Sequence, residues 1–359
     1  MPIKADAYGH GSLSVAKTAL ASGVDYLAIT TVFEGKELRD GGIKCPIIIL
    51  NIVLPEEIDS LIAADLEPLA GDGDYIDALE RGAVKAGKKL PIHLKIDTGM
   101  GRIGCAPEEA SKLAVRIAKS SNLFLAGTAT HLAVSDSFKE EDRAYTEKQL
   151  DSFNFALESI RKAGINPGIV HAANSGGVTF HAQSWFDMVR PGILLYGYSP
   201  TDKEGKAALA VKPLMELKSA VVFIKEVKKG QSISYGRTWT ATEDTLIGTI
   251  PLGYGDGISR LLSNRWQIAL GSASGSNDKN KDSKDNKEWP LRPLVGIICM
   301  DQCMVDLGKD SMAQRWDPVT IFGGNAPHAG IMAAAINTIP YEITCNITKR
   351  VPRVYIGKE

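Results

Sequence analysis

The first part of the chain alternates short apolar runs with longer amphipathic stretches. The stretches at 75–89, 107–119 and 140–163 repeat apolar residues at helical spacing. Strands that alternate with helices are typical of a parallel sheet. The predicted strands are Pro2–Lys4, Tyr26–Thr30, Pro46–Leu50, Leu66–Ala70, Ile92–Asp97, Leu125–His131, Ile169–Asn174 and Met188–Ile193.

This alternation predicts an α/β barrel in residues 1–199. Eight strands within about 200 residues fit a closed (β/α)8 TIM-like barrel at the short end of its size range. An open, doubly wound sheet remains the alternative.

The pattern changes after Ser199, where strand-like runs are separated by Gly/Asp turns and few helical periods occur. Residues 200–359 therefore predict a second, mainly β domain. Within it, residues 271–288 contain one alanine and no larger apolar side chain, so we expect a disordered insertion there. The predicted strands are Val221–Val227, Thr245–Ile250, Trp266–Ala269, Pro293–Val305 and Pro318–Phe322.

Composition narrows the function classes. A chain of 359 residues is long enough for two domains, and its net charge of −1 gives no electrostatic footprint for nucleic acid or an anionic membrane. No apolar run reaches the roughly 20 residues that span a bilayer, and no secretory signal is visible. The five cysteines are scattered without metal-site spacing, which favours reduced thiols in the cytoplasm and no metal.

Polar or ionisable residues stand at the ends of five predicted strands. The carboxyl ends of barrel strands share one mouth, where active sites are built, and a purely structural barrel does not need such residues there. The residues are Lys4, Lys95 with Asp97, His131, Asn174 with Ser175, and Arg190 with Gly192.

The octet Lys4-Ala-Asp-Ala-Tyr-Gly-His-Gly11 resembles the lysine motif of the alanine racemase family, in which this lysine binds pyridoxal 5'-phosphate (PLP). Further stretches resemble motifs of the same family in the same order and extend the resemblance over nearly the whole chain. They are Leu94–Gly104, Thr130-His131, His171–Ser175, Val189–Ile193 with Tyr196-Gly197, Ser234–Thr238, Gly253–Gly257, Cys299–Gln302 and Tyr341-Glu342.

The resemblance implies a two-base mechanism on a PLP cofactor. Lys4 holds the cofactor covalently and exchanges the α-proton on one face of the substrate. Tyr235 is the acid and base on the opposite face. By resemblance it comes from the other subunit of a homodimer with shared active sites.

The resemblance also implies the residues that bind the cofactor. Arg190 reaches the pyridine nitrogen through a relay with Tyr235, His131 and His171. Because a guanidinium does not accept a proton, the ring nitrogen stays unprotonated and the cofactor is a weaker electron sink. The implied cofactor-binding residues besides Lys4 are Tyr8, His131, Asn174, Ser175, Arg190, Gly192, Ile193 and Tyr341.

The substrate side is implied in the same way. Arg102 and the backbone N–H of Met300 bind the substrate carboxylate, and Lys95 lies beside Arg102. In many family members the matching lysine is carbamylated. His171 belongs to the relay, and Tyr254 and Asp301 narrow the entrance from the partner subunit.

Together these features predict a cytoplasmic isomerase that interconverts L-alanine and D-alanine and supplies D-alanine for peptidoglycan. Three alternatives stay open: a serine or broad-specificity racemase, a non-catalytic PLP-binding protein, and a PLP-dependent amino-acid decarboxylase. The chain begins shortly before Lys4, where family members carry a further strand and helix. We therefore expect a missing N-terminal segment and reduced stability.

Overall fold

The structure, a computed structural model, describes residues 1–201, 206–271 and 289–357. It divides into two units, Met1–Val211 and Lys212–Glu359. The boundary expected at 199/200 falls in the last residues of the first unit. Apart from Gly271, the insertion expected at 271–288 lies outside the described residues.

A parallel sheet organises the first unit. Its strands pair in sequence order, each with the next. Both faces are covered, which explains why the strands are apolar runs rather than alternating ones. The parallel sheet predicted from the sequence is thus confirmed. The strands are β1 (Leu27–Ile29), β2 (Ile47–Ile49), β3 (Glu67–Ala70), β4 (Leu90–Lys95), β5 (Leu123–Ala129) and β6 (Ile169–His171).

Helices connect these strands, and the three amphipathic stretches of the sequence form α5, α6 and α7 as predicted. The α3 helix begins with a capping box, in which Thr31 and Glu34 each accept a backbone N–H of the other. The helices are α1 (Lys4–Tyr8), α2 (Ser12–Ala21), α3 (Val32–Asp40), α4 (Ile58–Ala63), α5 (Gly73–Ala86), α6 (Ala110–Lys119), α7 (Glu140–Lys162) and α8 (Ser175–Phe180).

Two of the eight predicted strands are not strands. At the start, only Pro2 pairs, in a single parallel bridge with Ala28, because the chain turns into α1 at Lys4. At the end, the predicted strand 188–193 is irregular, since Pro191 offers no N–H for a ladder.

The two irregular segments nevertheless meet and curl the sheet. The Tyr196 hydroxyl donates to the Pro2 carbonyl at 3.0 Å, and the Tyr8 and Tyr196 ring centroids are 4.8 Å apart. Inside the curl, Ala28, Ile48 and Leu69 pack with other apolar residues, with relative exposures of 3% or less. The first unit is therefore a curled, TIM-like sheet of six strands, and these side-chain contacts link the segments that flank its two ends.

The second unit is mainly β, as predicted, and its strands pair in antiparallel fashion. The expected strand 293–305 is instead two strands, separated by a loop in which Gly296 has φ +75°. The pairing orders are β14-β11-β8, β13-β12-β15-β7 and β10-β9. The elements are β7 (Leu217–Ala220), β8 (Phe223–Val227), β9 (Ser232–Ile233), β10 (Trp239–Thr240), β11 (Thr245–Ile250), β12 (Gln267–Leu270), β13 (Leu291–Pro293), β14 (Cys303–Asp306), β15 (Pro318–Phe322), α9 (Ala329–Ala335) and α10 (Pro340–Asn346).

Across the described ranges, no helix combines the length and the apolar character needed to cross a membrane.

Candidate active site

Lys4 begins a left-handed turn at the end of the first segment. The following residues, Ala5 to Tyr8, have φ between +52° and +55°. Left-handed backbone costs an L-residue roughly 1–2 kcal/mol, so the turn needs outside support. Glu34 Oε1 accepts the Ala5 N–H at 2.6 Å, and Asp6 Oδ1 accepts the Ser12 N–H at 2.7 Å. These bonds hold the backbone on which the half-buried Lys4 is carried.

Hydroxyl and amide groups form a cradle near this turn. Ser175 Oγ accepts the N–H groups of Gly192 at 3.0 Å and Leu194 at 3.3 Å. A Cβ atom on Gly192 would lie 2.6 Å from the Tyr8 hydroxyl, so the backbone and the phenol approach as closely as a glycine permits. Ile193 follows as the first residue of a 3-10 turn, where N–H groups lack intrahelical acceptors.

Asn174 organises the start of α8 beside the cradle. Its Oδ1 accepts the Gly177 N–H at 3.0 Å and the Ser135 hydroxyl at 2.7 Å, and its Nδ2 donates to Leu132 O at 3.1 Å. The side chain is fully used as a helix cap. In this structure Asn174 therefore supports Ser175 through the backbone.

Arg190 lies buried at the carboxyl ends of β5 and β6. Its Nη2 donates to Thr130 O at 2.8 Å and to Ala172 O at 3.1 Å. Its Nη1 is 2.5 Å from His171 Nδ1, and Nη2 is 3.5 Å from His131 Nδ1. The structure thus brings together the arginine and both histidines of the implied relay.

Burial and positive charge keep the two histidines neutral. Burial, with smaller contributions from Arg190, Arg102, Lys95 and Lys4, lowers the pKa of His131 to about 3. Burial first, and then Arg190, lowers the pKa of His171 well below its ordinary value. Four cationic side chains therefore act on one imidazole, which is the environment of an anion-binding site.

Lys95 ends β4 and is 4% exposed. Its Nζ donates to Ile96 O at 2.8 Å. Burial and the neighbouring Arg190 lower its pKa to about 8. Arg102 lies exposed in the next loop, which Asp97 holds by accepting the N–H groups of Gly99 and Gly101.

Four of the predicted residues of the second unit lie on connected loops. Tyr235, 68% exposed, follows Ser234, whose hydroxyl donates to Ile297 O at 2.6 Å. The Tyr254 N–H donates to Cys299 O at 3.0 Å, immediately before the 53% exposed Met300. Asp301 accepts Arg350 Nη2 at 2.8 Å. These contacts group Tyr235, Tyr254, Met300 and Asp301, whereas Tyr341 lies in the first turn of α10.

Two site residues were missed by the sequence analysis. His93, in the middle of β4, is fully buried between Glu67 Oε2 at 2.9 Å and His171 Nε2 at 3.0 Å. The available signal was an ionisable residue inside an apolar strand, Ile92-His93-Leu94. Glu67 opens β3 and carries no comparable signal.

Family models match both units. The model for the alanine racemase N-terminal domain matches residues 1–200, and the model for the alanine racemase C-terminal domain matches residues 214–355.

Individual relatives agree with these matches. Alanine racemase from Treponema denticola is 48% identical, with 100% of this chain and 91% of the relative covered. Alanine racemase from Treponema pallidum is 41% identical, with 99% and 92% covered. Among solved structures, alanine racemase from Clostridium difficile has a TM-score of 0.89 and 36% identity, with 99% of this chain and 88% of that chain covered.

Proposed function

Because the chain belongs to the alanine racemase family, we propose that it is an isomerase that interconverts L-alanine and D-alanine with PLP. The observation that carries the proposal is the placement of Arg190 against His131 and His171 at one end of a parallel sheet, where the positive charges of Arg102, Lys95 and Lys4 also act on His131. Such a cluster suits a ligand with a phosphate and a carboxylate. The relatives named alanine racemase cover nearly the whole chain and support the substrate.

The residues of the first unit fit PLP. Tyr8 and Ser175 bring hydroxyls to the backbone of Gly192, where the absent Cβ lets the phenol come close to backbone N–H groups that suit a phosphate. Lys4 offers the amine to which the cofactor aldehyde is bonded. When bound, the cofactor supplies a conjugated electron sink that makes the α-proton of the amino acid acidic.

The proton chemistry falls to two side chains. Lys4 Nζ takes or returns the α-proton on one face of the amino acid, and the Tyr235 hydroxyl does so on the other. Both directions then use the same pair with the roles reversed. We propose that Tyr235, together with Tyr254, Met300 and Asp301, acts in the site of a partner subunit in a homodimer.

Arg190 remains positively charged at the cofactor ring. Its two amino groups are occupied by His171 and by backbone carbonyls, which fixes the guanidinium. Toward the ring nitrogen of PLP, such a group would donate and could not accept a proton. It keeps the electron sink moderate and thereby disfavours side reactions such as transamination.

Arg102 binds the substrate carboxylate, and Met300 N–H is the second donor. We include carbamylation of Lys95 in the proposal, because a pKa of about 8 leaves roughly half of its amine neutral at pH 8, and only the neutral amine attacks CO2. The carbamate replaces a repelling cation with an anion beside Arg102. Native mass spectrometry after trapping with labelled bicarbonate tests this step, and an unmodified Lys95 would remove it.

A racemisation assay tests the proposed function. The protein is loaded with PLP, and kcat/KM is measured for both alanine enantiomers, for serine and for larger amino acids. We expect alanine to be preferred and Lys4→Ala to be inactive. Serine turnover equal to that of alanine would favour the broad-specificity alternative, and no racemisation by PLP-loaded protein would favour a binding protein. We further propose a cytoplasmic enzyme that supplies D-alanine for peptidoglycan.

A further inference from the structure

A chain of side chains runs beneath Arg190 through the interior of the first unit. It leads from Glu67, the first residue of β3, through His93 on β4 and His171 on β6 to the guanidinium. The successive distances are 2.9 Å, 3.0 Å and 2.5 Å. Both histidines have a relative exposure of 0%, and the Glu67 side chain is 12% exposed.

Every proton in this chain is fixed by its arginine end. A guanidinium only donates, so His171 Nδ1 must accept. His171 then carries its proton on Nε2 and donates it to His93 Nδ1. His93 in turn carries its proton on Nε2 and donates it to Glu67. The Glu67 carboxylate can only accept this hydrogen bond. Both ends of the chain of side chains therefore require that each hydrogen bond be donated in the direction from Arg190 to Glu67.

The same chain connects Arg190 to a negative charge. Among the described residues, Arg190 forms no ion pair with a carboxylate, and its other acceptors are two backbone carbonyls and, at 3.5 Å, His131 Nδ1. A buried cation without a counter-charge is costly. Two polarised imidazoles link it instead to the Glu67 carboxylate.

The packing leaves room for this arrangement. A Cβ atom on Gly127 of β5 would lie 2.4 Å from His93 Nδ1. The glycine therefore leaves space beside β5 for the imidazole, which reaches His171 on β6. Glu67 itself lines a cleft of about 250 Å³ that also includes Asp65 and Lys88.

We propose that Glu67 and His93 are positioning residues that hold His171 in the tautomer that accepts from Arg190 and thereby keep Arg190 in place. Only the expected effect on turnover rests on the proposed function. The tautomers themselves are a property of the protein without cofactor.

Nitrogen-15 NMR of histidine-labelled protein without PLP tests the tautomers directly. In the wild type we expect His93 and His171 to be neutral with the proton on Nε2. In Glu67→Gln the acceptor is neutral and no longer polarises the two imidazoles, so we expect both signals to shift. A wild-type spectrum with either proton on Nδ1, or signals unchanged by Glu67→Gln, would overturn the proposal.

Asp65→Asn is the matched control. It removes a carboxylate from the same cleft, and asparagine tolerates the φ of +49° at that position. Asp65 pairs with Lys88 and is not part of the histidine chain. We expect its spectrum and activity to match the wild type.

Kinetics then measure the consequence. We expect Glu67→Gln to lower kcat for alanine about tenfold, with KM unchanged within about twofold, because the substrate contacts remain while Arg190 loses its support. An unchanged kcat in Glu67→Gln would overturn the proposal. If the wild type does not racemise alanine, the proposed function fails, and the NMR result still decides the tautomers.

Discussion

His131 illustrates how single residues at the site are set by charge. Burial lowers the pKa of its imidazole to about 3, with smaller contributions from the positive charges of Arg190, Arg102, Lys95 and Lys4. A neutral His131 has one nitrogen that accepts, which matches the Arg190 donor facing it. The site therefore favours the binding of an anion over the protonation of His131.

This shift predicts acid sensitivity. The unfolded chain binds a proton at His131 below about pH 6.5, but the folded protein does so only near pH 3, so the free energy of unfolding falls as the pH drops through that window. Each such histidine contributes up to about 1.4 kcal/mol per pH unit. In denaturant unfolding, the free energy of unfolding of His131→Asn should therefore fall less steeply than that of the wild type as the pH drops from 6.5 to 5.0. An equal slope in His131→Asn would contradict the assigned environment of His131.

Gly192 carries a second prediction at this scale. Gly192→Ala places a methyl group 2.6 Å from the Tyr8 hydroxyl, so we expect the PLP affinity to fall about tenfold or more. The double variant Tyr8→Phe/Gly192→Ala removes the oxygen and leaves the ring carbon at 3.4 Å. Titration with PLP should show partial recovery in the double variant, and a single variant that binds as tightly as the wild type would refute the cradle.

At the scale of elements, the turn that carries Lys4 has the most unusual backbone conformation. Its residues are alanine, aspartate and tyrosine in left-handed backbone, where glycine is the usual occupant. Nothing in their sequence signals this conformation. It depends on Glu34, which lies 29 residues away from Ala5 in the chain.

The conformation can be tested with a pair of glycine substitutions. Ala5→Gly relieves a residue with φ +52°, and we expect it to raise the free energy of unfolding by about 1 kcal/mol. Ala144→Gly, at an exposed right-handed position inside α7, should lower it by about 1 kcal/mol. If both glycine variants lowered the free energy of unfolding by the same amount in denaturant unfolding, the left-handed turn would be contradicted.

Periodic patterns explain which elements were predictable. Long amphipathic helices such as α7 follow directly from spacing, and β1 to β6 follow from apolar runs. The first and last predicted strands failed because a bridge at Pro2 and a loop around Pro191 depend on tertiary contacts. Glu67 and His93 were missed because their partners come from other strands, and His93 lies 78 residues before His171.

At the scale of the whole molecule, the motifs were informative because they cover both units. The family expected from them is confirmed by matches over residues 1–200 and 214–355. The proposed reaction needs one residue from each unit, Lys4 and Tyr235. We assign them to different subunits, so each site requires two chains.

Mixing two inactive variants tests this sharing most directly. Lys4→Ala and Tyr235→Phe are purified, mixed, unfolded and refolded together with PLP, and alanine racemisation is measured. When the two variants are present in equal amounts, half of the dimers contain one chain of each variant. Each of these mixed dimers has one site in which both Lys4 and Tyr235 are intact. We predict recovery of about a quarter of the wild-type activity, whereas mixed dimers verified by mass spectrometry that remain inactive would contradict the shared two-base site.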